Sequence, residues 1–280
     1  MPAATEIRFG KAAMLADTGR LADIDRYIAD DAWWLEQKLD GHRVMVHVID
    51  NAPRFLNRHG EEYGHGVPEA VRRAFTSGFS GEWQLDGELV DGVFWVFDAI
   101  TVGRSMVSLP YAERREIVEH LFKVWDNPPA VRLIPTARTA AEKQALWDAV
   151  VANNGEGVMA KRASHLYKPG RRSTDLQKVK LVATADVIVT EVGRQGKDSI
   201  AIGVYDEATG RMLDAGAVNM QGKAYRHLSV GDVVEVRYLY TVAGSAKLVQ
   251  PEWLRDRTDK TAAECTDRQL KTTSREVIGA

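Results

Sequence analysis

The sequence contains few of the simple signals that identify a protein's chemistry. Its 280 residues include one cysteine, Cys265, which excludes an intramolecular disulfide framework and a zinc site built from several cysteines. The seven histidines show no paired metal-binding spacing, so a histidine-built zinc site is not expected either. No run approaches the roughly 18 apolar residues that cross a membrane, and the first residues lack the apolar core of a signal peptide. We therefore expect a cytoplasmic protein without a membrane partner.

Positive and negative side chains are nearly balanced. The chain has 37 Lys+Arg and 39 Asp+Glu, a formal net charge of -2, which argues against a nucleic-acid binder that relies on bulk positive charge. Hydrophobic residues make up 45% and charged residues 27%, so a packed core is expected rather than disorder. A P-loop is also missing, because Gly193–Lys197 comes nearest to that motif and has the wrong spacing. The length exceeds the usual single domain of about 100–150 residues, which favours two domains.

The hydrophobic pattern predicts an α+β fold for roughly the first 180 residues. Asp91-Gly92 has the composition of a hairpin turn between two strands. Strands are expected at 33–38, 43–49, 87–99 (a strand pair), 157–161 and 176–181, and helices at 12–15, 21–28, 110–124 and 140–151.

A different pattern begins near Asp186. Five short strands are expected at 186–192, 199–205, 211–218, 232–240 and 246–250, with one helix near 222–228. This order would suit an OB-fold barrel, although strand counting does not separate an OB fold from another small β-barrel or sandwich. The predicted domains are 1–182 and 183–280, joined by a short linker at 182–185.

The first candidate chemistry lies at the turn after the first strand. The period of a strand places Glu36, Lys38 and Asp40 on one face, which would collect an acceptor, an amine and a carboxylate. A solvated hairpin end would show the same pattern. Further carboxylates adjoin glycines in Asp86-Gly87-Glu88 and Glu156-Gly157, each expected at the start of a strand.

Two lysines form the last candidate site of the first domain. Strict alternation places Lys178 and Lys180 on one strand face, with Val179 and Leu181 on the other. Like charges on one face repel, so the arrangement favours an anion between them. A solvated edge strand is the alternative.

In this order, the motifs resemble those of the covalent nucleotidyltransferase superfamily of ATP-dependent DNA ligases, RNA ligases and mRNA capping enzymes. The resemblance covers nearly the whole chain, and residues 110–115 and 167–173 look like segments of DNA ligases of bacterial and phage type. Asn57 stands where the family's S-R-x-G element has serine. The matching segments are Lys38–Arg43 (K-x-D-G-x-R), Asn57–Gly60 (S-R-x-G), Asp86–Glu88 (D-G-E), Val96–Asp98, Glu156–Lys161 (E-G-x-x-x-K), Lys178–Lys180 and Arg257–Lys260 (R-x-D-K).

The resemblance implies a nucleotidyltransferase (adenylation) domain of antiparallel sheets with flanking helices, followed by a C-terminal OB-fold β-barrel. It also implies that AMP passes from ATP to Lys38, then to the 5′-phosphate of a nick, before the 3′-hydroxyl displaces it. Mg²⁺ or Mn²⁺ would assist. The implied roles are catalysis for Lys38, Asp40, Lys178 and Lys180; nucleotide contact for Glu36, Arg43, Glu88, Phe97, Lys178, Lys180, Arg257 and Lys260; and metal binding for Glu156 and Glu88. Glu36 would accept from the adenine amino group, Phe97 would stack on the base, and Asp40 would orient Arg43 or a metal-bound water.

The implied partner is nicked duplex DNA, contacted without sequence preference. Arg58, Arg162, Arg171 and Arg172 are the expected DNA contacts, because basic residues are concentrated between 160 and 180. We expect a monomeric, minimal two-domain enzyme in a bacterial or phage-infected cell, with a hinge at 182–185. An RNA ligase or an mRNA capping guanylyltransferase is the alternative enzyme. The non-enzymatic alternative is an OB-fold module attached to a degenerate nucleotidyltransferase.

Overall fold

The protein is described by a computed structural model that covers residues 13–63, 66–125, 129–193, 196–242, 244–272 and 277–279. The chain divides into two compact units. The first unit comprises Met1–Val150, Gly157–Val179 and Arg275–Ala280, and the second comprises Val151–Glu156 and Lys180–Ser274.

Two mixed five-stranded sheets and four helices make up most of the first unit as described. The strands are β1 (Leu15–Thr18), β2 (Trp33–Gln37), β3 (His42–Ile49), β4 (Ala52–Asn57), β5 (Glu82–Val90), β6 (Val93–Val102), β7 (Val131–Leu133), β8 (Thr136–Ala137), β9 (Gly157–Arg162) and β10 (Arg172–Lys180). The helices are α1 (Ile24–Ala29), α2 (Glu69–Ala74), α3 (Tyr111–Val124) and α4 (Ala140–Ala152). One sheet has the order β1-β10-β9-β2-β8 and the other β4-β3-β5-β6-β7.

Strand β3 shows how the second of these sheets is buried on both faces. Val44 and Val46 point into a large apolar cluster that also contains Phe75 of the α2 end. Met45, on the opposite face, joins a second cluster with Leu176 of β10. Alternation along β3 therefore places Arg43 on the same face as Met45, towards this second cluster.

A buried lysine fixes the start of β2. Lys143 of α4 is fully buried, and its Nζ donates to the carbonyl oxygens of Tyr27 (3.2 Å), Asp30 (2.9 Å) and Trp33 (3.1 Å). These carbonyls lie at the end of α1 and the beginning of β2. A cation at a helix C-terminus satisfies carbonyls that have no partner within the helix. Lys143 thus ties α4 to the strand that leads to Lys38.

The second unit is built on an antiparallel sheet. Its strands are β11 (Ala183–Val192), β12 (Ser199–Tyr205), β13 (Met212–Asn219), β14 (Val233–Tyr238) and β15 (Glu252–Asp256), in the order β13-β12-β11-β14-β15. Alternate residues such as Val187, Val189, Val234 and Val236 form its core. Leu248 donates its N–H to the carbonyl of Ala215 on β13 (3.0 Å). Among the described residues, no closed barrel is found, so the predicted OB-fold barrel is not confirmed.

Most predicted strands and helices of the first unit are confirmed, and the exceptions have local causes. The helix expected at 12–15 is wrong in its described part, because Leu15 begins β1 and pairs in parallel with Arg172 of β10. The D-G-E segment lies inside β5 rather than at a strand start. Residue 12 lies outside the described residues.

Two predictions for the second unit are also wrong. Residues 222–228 form turns instead of a helix: Gly222 has φ +75°, and Lys223 and Leu228 each bond three residues back. Residues 246–250 form no regular strand: Leu248 makes an isolated bridge with Thr241, and Gln250 has φ +52°, which interrupts an extended strand. The fifth strand follows at β15. No helix among the described residues is long and apolar enough to cross a membrane.

Candidate active site

The K-x-D-G and E-G-x-x-x-K motifs lie opposite each other on neighbouring strands. Strands β2 and β9 are antiparallel, and Glu36 pairs with Met159. The pairing continues past β2, because Lys38 donates its N–H to the carbonyl of Gly157 at 2.8 Å. Lys38 is partly buried. Sheet register thus holds the backbone of the candidate nucleophile against the glycine of the second motif.

Strand β2 ends before the whole motif is formed. Its last residue is Gln37, and Asp40 lies in the connection to β3. The prediction that Glu36, Lys38 and Asp40 share one strand face is therefore wrong. The connection is tight because a Cβ on Gly41 would lie 2.6 Å from Cγ2 of Val90 and still closer to the carbonyl of Leu89.

Arg43 is held by the aspartate of the D-G-E motif. Its Nε and Nη2 donate to the two oxygens of Asp86 at 3.0 and 2.6 Å, and its Nη1 donates to the Met14 carbonyl at 2.7 Å. Tyr167 also donates to Asp86 at 2.6 Å. Burial tends to lower the pKa of Arg43, but Asp86 outweighs it and the pKa is raised. Asp86 makes this bidentate contact, and the role of Asp40, to orient Arg43 or a metal-bound water, stays a prediction.

Glu88 and Phe97 lie beside Arg43. Glu88 pairs with Arg43 across β3 and β5, and both Glu88 and Phe97 are partly buried. The ring of Phe97 has the Arg43 guanidinium 5.4 Å and the Lys161 Nζ 4.8 Å from its centroid. Next to Glu88 on β5, Gly87 has no room for a side chain, because a Cβ would lie 2.5 Å from the Trp95 carbonyl. The first unit therefore brings together the amine of Lys161, the guanidinium of Arg43, the ring of Phe97 and the carboxylate of Glu88.

Glu36 is buried in a polar network of its own. Its Oε2 lies 2.6 Å from the Nζ of Lys161, and its Oε1 accepts hydrogen bonds from Tyr111 and, at 3.1 Å, from Thr136. Arg115 lies 3.6 Å from the same oxygen. Burial lowers the pKa of Lys161 below its usual value although Glu36 favours the charged form, and burial together with Glu36 raises that of Tyr111. Both Glu36 oxygens thus already accept from protein donors.

A neutral histidine supports this network. His165 stacks on Tyr111 at 5.1 Å, and its Nδ1 donates to the Arg162 carbonyl at 2.7 Å, since its Nε2 faces a donor of Arg114 at 3.3 Å. Arg114 in turn forms a buried bidentate pair with Asp98. Burial lowers the pKa of His165 to about 4.

This shift predicts a pH dependence of stability. The pKa of His165 is about 4 in the folded chain and has its ordinary value of 6.5 in the unfolded chain. As the pH falls from 6.5 to about 4, the unfolded chain binds a proton at His165 and the folded chain does not, which favours unfolding. The free energy of unfolding should fall by about 3 kcal/mol from this group across the window. The free energy of unfolding, measured with urea at neutral pH and at about pH 5, should fall more in the wild-type protein than in His165→Gln. An equal fall in both proteins would contradict a buried neutral imidazole.

The other candidate residues of the E-G and lysine motifs fall in different units. Lys178 and Lys180 are both partly exposed on β10, with Val179 buried between them, as alternation predicts. Lys178 belongs to the first unit. In the second unit, Lys180 lies 3.2 Å from the Oε1 of Glu156 and donates to Gln250 at 3.1 Å. The side chain of Glu156 is buried.

The R-x-D-K segment is held within the second unit. Arg257 donates to both oxygens of Asp259 (2.9 Å each) and to Asp186 (2.7 Å), and Lys260 donates to the other Asp186 oxygen at 2.5 Å. The hydrogen bond from Arg257 lowers the pKa of Asp259 to about 2, and the one to Asp186 raises that of Lys260. Two cations and two carboxylates therefore form one ionised cluster.

The predicted DNA contacts differ in exposure. Arg58 and Arg171 are exposed, and Arg172 is exposed with one guanidinium donor on the Ala16 carbonyl. Arg162 is partly buried over the ring of Trp33 and pairs with Asp175 at 3.1 Å. In the loop that carries Arg58, the Asn57 side-chain oxygen accepts the N–H groups of His59 and Glu61. Asn57 thus builds the turn at the position where the family has serine.

Metal binding by Glu88 and Glu156 stays a prediction. In the part of the chain that the structure describes, no group of three or more His, Cys, Asp and Glu residues could hold an ion. Mg²⁺ often binds through one or two carboxylates, several waters and substrate phosphates instead. Glu88 and Glu156 offer such carboxylates.

Sequence reasoning missed residues that act through others. The D-G-E motif includes Asp86, but the sequence does not show that Asp86 binds Arg43. It also gives no site role to Lys161, Tyr111 or Asp186. Lys161 carried a usable signal, since a lysine in a strand of buried residues requires a partner.

The family model described as "ATP dependent DNA ligase domain" matches residues 13–93 and 90–180. The chain belongs to this family.

Named relatives agree with that family. The "Probable DNA ligase" of Pseudarthrobacter chlorophenolicus is 29% identical over 250 residues, which cover 77% of this chain and 48% of that protein. The "Multifunctional non-homologous end joining protein LigD" of Mycolicibacterium smegmatis is 29% identical over 215 residues, covering 69% of this chain and 26% of that protein. The chain thus spans about half or less of the length of these relatives.

Two solved structures share the fold. The ligase domain of LigD from M. tuberculosis has 23% identity and a TM-score of 0.54, and covers 92% of this chain and 98% of that one. A structure from a study of Lig E DNA ligases, titled "DNA binding with a minimal scaffold", has 19% identity and a TM-score of 0.63, covering 88% of this chain and 99% of that one. At these identities the likeness establishes the ligase nucleotidyltransferase-type fold.

Proposed function

We propose that the protein is an ATP-dependent DNA ligase that seals nicks in duplex DNA through a covalent lysine–AMP intermediate. The observation that carries the proposal is the pairing of Lys38 with Gly157, which sets the candidate nucleophile of one motif against the second motif. The family and its named ligase relatives support the same activity.

Lys38 attacks the α-phosphate of ATP, forms a phosphoramidate and releases pyrophosphate. AMP then passes to the 5′-phosphate of the nick, and the 3′-hydroxyl displaces it to close the strand. A lysine amine must be deprotonated to attack, so cations near it assist. Lys178, Lys180 and Arg43 supply positive charge for the phosphate oxygens, where charge develops in the transition state. Asp40 assists the attack of the 3′-hydroxyl.

Recognition of the nucleotide is assigned to the cluster around Arg43. Phe97 stacks on the base, Glu88 contacts the ribose, and Glu36 accepts from the adenine amino group. For this last contact Glu36 must share or exchange a donor, because Lys161, Tyr111 and Thr136 already bind its oxygens. Mg²⁺ or Mn²⁺, when bound through Glu156 or Glu88, supplies charge neutralisation at the phosphates.

The division of labour follows the predicted domains. Residues 1–182 act as the nucleotidyltransferase domain, and residues 183–280 act as an OB-type domain. The prediction of a linker and hinge at 182–185 is wrong for its last three residues, because Ala183–Ala185 belong to β11 and pair with β14. A hinge would have to precede Ala183. The described sheet of the second unit and the bond from Leu248 to Ala215 are compatible with such a domain. Arg257 and Lys260 serve the pyrophosphate leaving group when the domains close. Arg58, Arg162, Arg171 and Arg172 contact DNA, and the enzyme works as a monomer in the cytoplasm.

The proposal is tested by incubating the protein with α-labelled ATP or GTP and Mg²⁺. We expect an acid-labile adduct from ATP, because the three-step reaction requires AMP on the protein. The adduct should then seal a nicked DNA duplex. An adduct from GTP alone would favour a capping enzyme, sealing confined to RNA would favour an RNA ligase, and no adduct would leave the non-enzymatic alternative.

A further inference from the structure

Asp186 is held in place by an amide side chain that replaces a neighbouring strand. On one side Asp186 pairs with Glu235 of β14, but on the other the pairing of β11 with β12 begins only at Ile188. There the side chain of Gln269 accepts the Asp186 N–H at 2.8 Å and donates to its carbonyl at 3.0 Å. Gln269 thereby satisfies both backbone groups, which would otherwise be unpaired in a buried position.

The Asp186 carboxylate is buried and serves two cations. The residue is 7% exposed, and one oxygen accepts from Arg257 while the other accepts from Lys260. Asp259 binds the remaining edge of the Arg257 guanidinium and is itself exposed. Asp186 is therefore the one of these two carboxylates that joins Arg257 to Lys260.

This arrangement limits the freedom of two long side chains. Arginine and lysine lose much rotamer entropy when they are fixed, and cations arranged before a reaction stabilise an anion more effectively than mobile ones. Lys260 remains partly exposed and has two further N–H donors for an incoming anion. Asp186 repels phosphate and is buried, so it acts through the two cations.

We propose that Asp186 is a positioning residue for the first step, because it fixes Arg257 and Lys260 in one arrangement for the pyrophosphate portion of ATP. The inference rests on the proposed function and adds a residue outside the R-x-D-K motif to it. Gln269 supports the same arrangement through the Asp186 backbone.

The test separates the first step from the last. Asp186→Asn keeps the shape of the side chain and removes its charge. The rate of Lys38 adenylation, measured in single turnovers over a range of ATP concentrations, should fall about 10- to 100-fold, since hydrogen bonds to charged groups are lost. Sealing of a nick that already carries the 5′-adenylate needs no pyrophosphate release and should stay at the wild-type rate. Asp186→Glu should recover part of the adenylation rate.

Glu252→Gln is the matched control. Glu252 lies on β15 of the same unit and pairs with Arg237 at 2.5 Å, outside the R-x-D-K segment. This variant removes the same charge and should adenylate normally. Normal adenylation by Asp186→Asn, or an equal loss in both steps, would overturn the inference, because Asp186 would then have no specific effect on the first step. No adduct even in the wild-type protein would instead refute the proposed function on which the inference rests.

Discussion

Lys38→Arg is expected to fold normally and to form no adduct with ATP. The guanidinium keeps the charge and nearly the length of lysine, but its very high pKa prevents it from offering a free electron pair to the α-phosphate. The variant retains the positive charge of the side chain and the backbone N–H that bonds to the Gly157 carbonyl. We therefore expect an unchanged unfolding midpoint together with a loss of adduct of at least about 10³-fold, the scale of losing a covalent nucleophile.

Chemical rescue makes this result specific. Lys38→Cys, alkylated with bromoethylamine, carries an amine at almost the lysine position. The only natural cysteine, Cys265, is buried, and burial raises its pKa to about 11, so selective modification of the new thiol is expected. The alkylated protein should regain part of the adduct, and the unmodified Lys38→Cys protein should not. An adduct in Lys38→Arg would place the nucleophile elsewhere.

Lys161→Met should strongly destabilise the first unit. Removing one partner of a buried ion pair leaves the other charge uncompensated and costs about 3–5 kcal/mol. Glu36 would keep the hydrogen bonds from Tyr111 and Thr136 but lose its nearest cation. Urea unfolding at neutral pH measures the loss.

A double-mutant cycle shows whether the loss belongs to the pair. Glu36→Gln removes the charge and keeps an acceptor for Tyr111. If the two residues act as a pair, the double variant should be more stable than the sum of the single losses allows, by about 0.5–3 kcal/mol. Strictly additive losses would show that Lys161 and Glu36 contribute independently. Adduct formation in Glu36→Gln separately tests the predicted contact with the adenine amino group.

The sequence was most informative where function depends on residues close together in the chain. Lys38 and Arg43 are five positions apart, and strand alternation correctly placed Lys178 and Lys180 on one side of β10. The D-G-E motif was recognised by spacing alone, yet its position inside β5 was missed, because glycine usually signals a turn. Gly87 is needed instead for the close approach of Trp95.

Contacts between distant residues could not be predicted in this way. Asp86 is 43 positions from Arg43, Lys161 is 125 from Glu36, and Asp186 is 71 from Arg257. Their pairing is set by sheet order and strand register, which local patterns do not specify. The same limit explains the helix expected at 222–228, where apolar residues at near-helical spacing anchor a series of turns to the core.

Gly41 and Gly87 affect how the K-x-D-G-x-R and D-G-E motifs should be interpreted. Both glycines stand where a methyl group would strike a neighbouring backbone, so their presence reports on packing rather than on catalysis. A variant chain that had lost its nucleophile would still need both glycines to fold, whereas it could dispense with Lys38. In a degenerate copy of this protein, the two glycines would therefore be retained longer than Lys38, so their presence alone does not indicate a working enzyme.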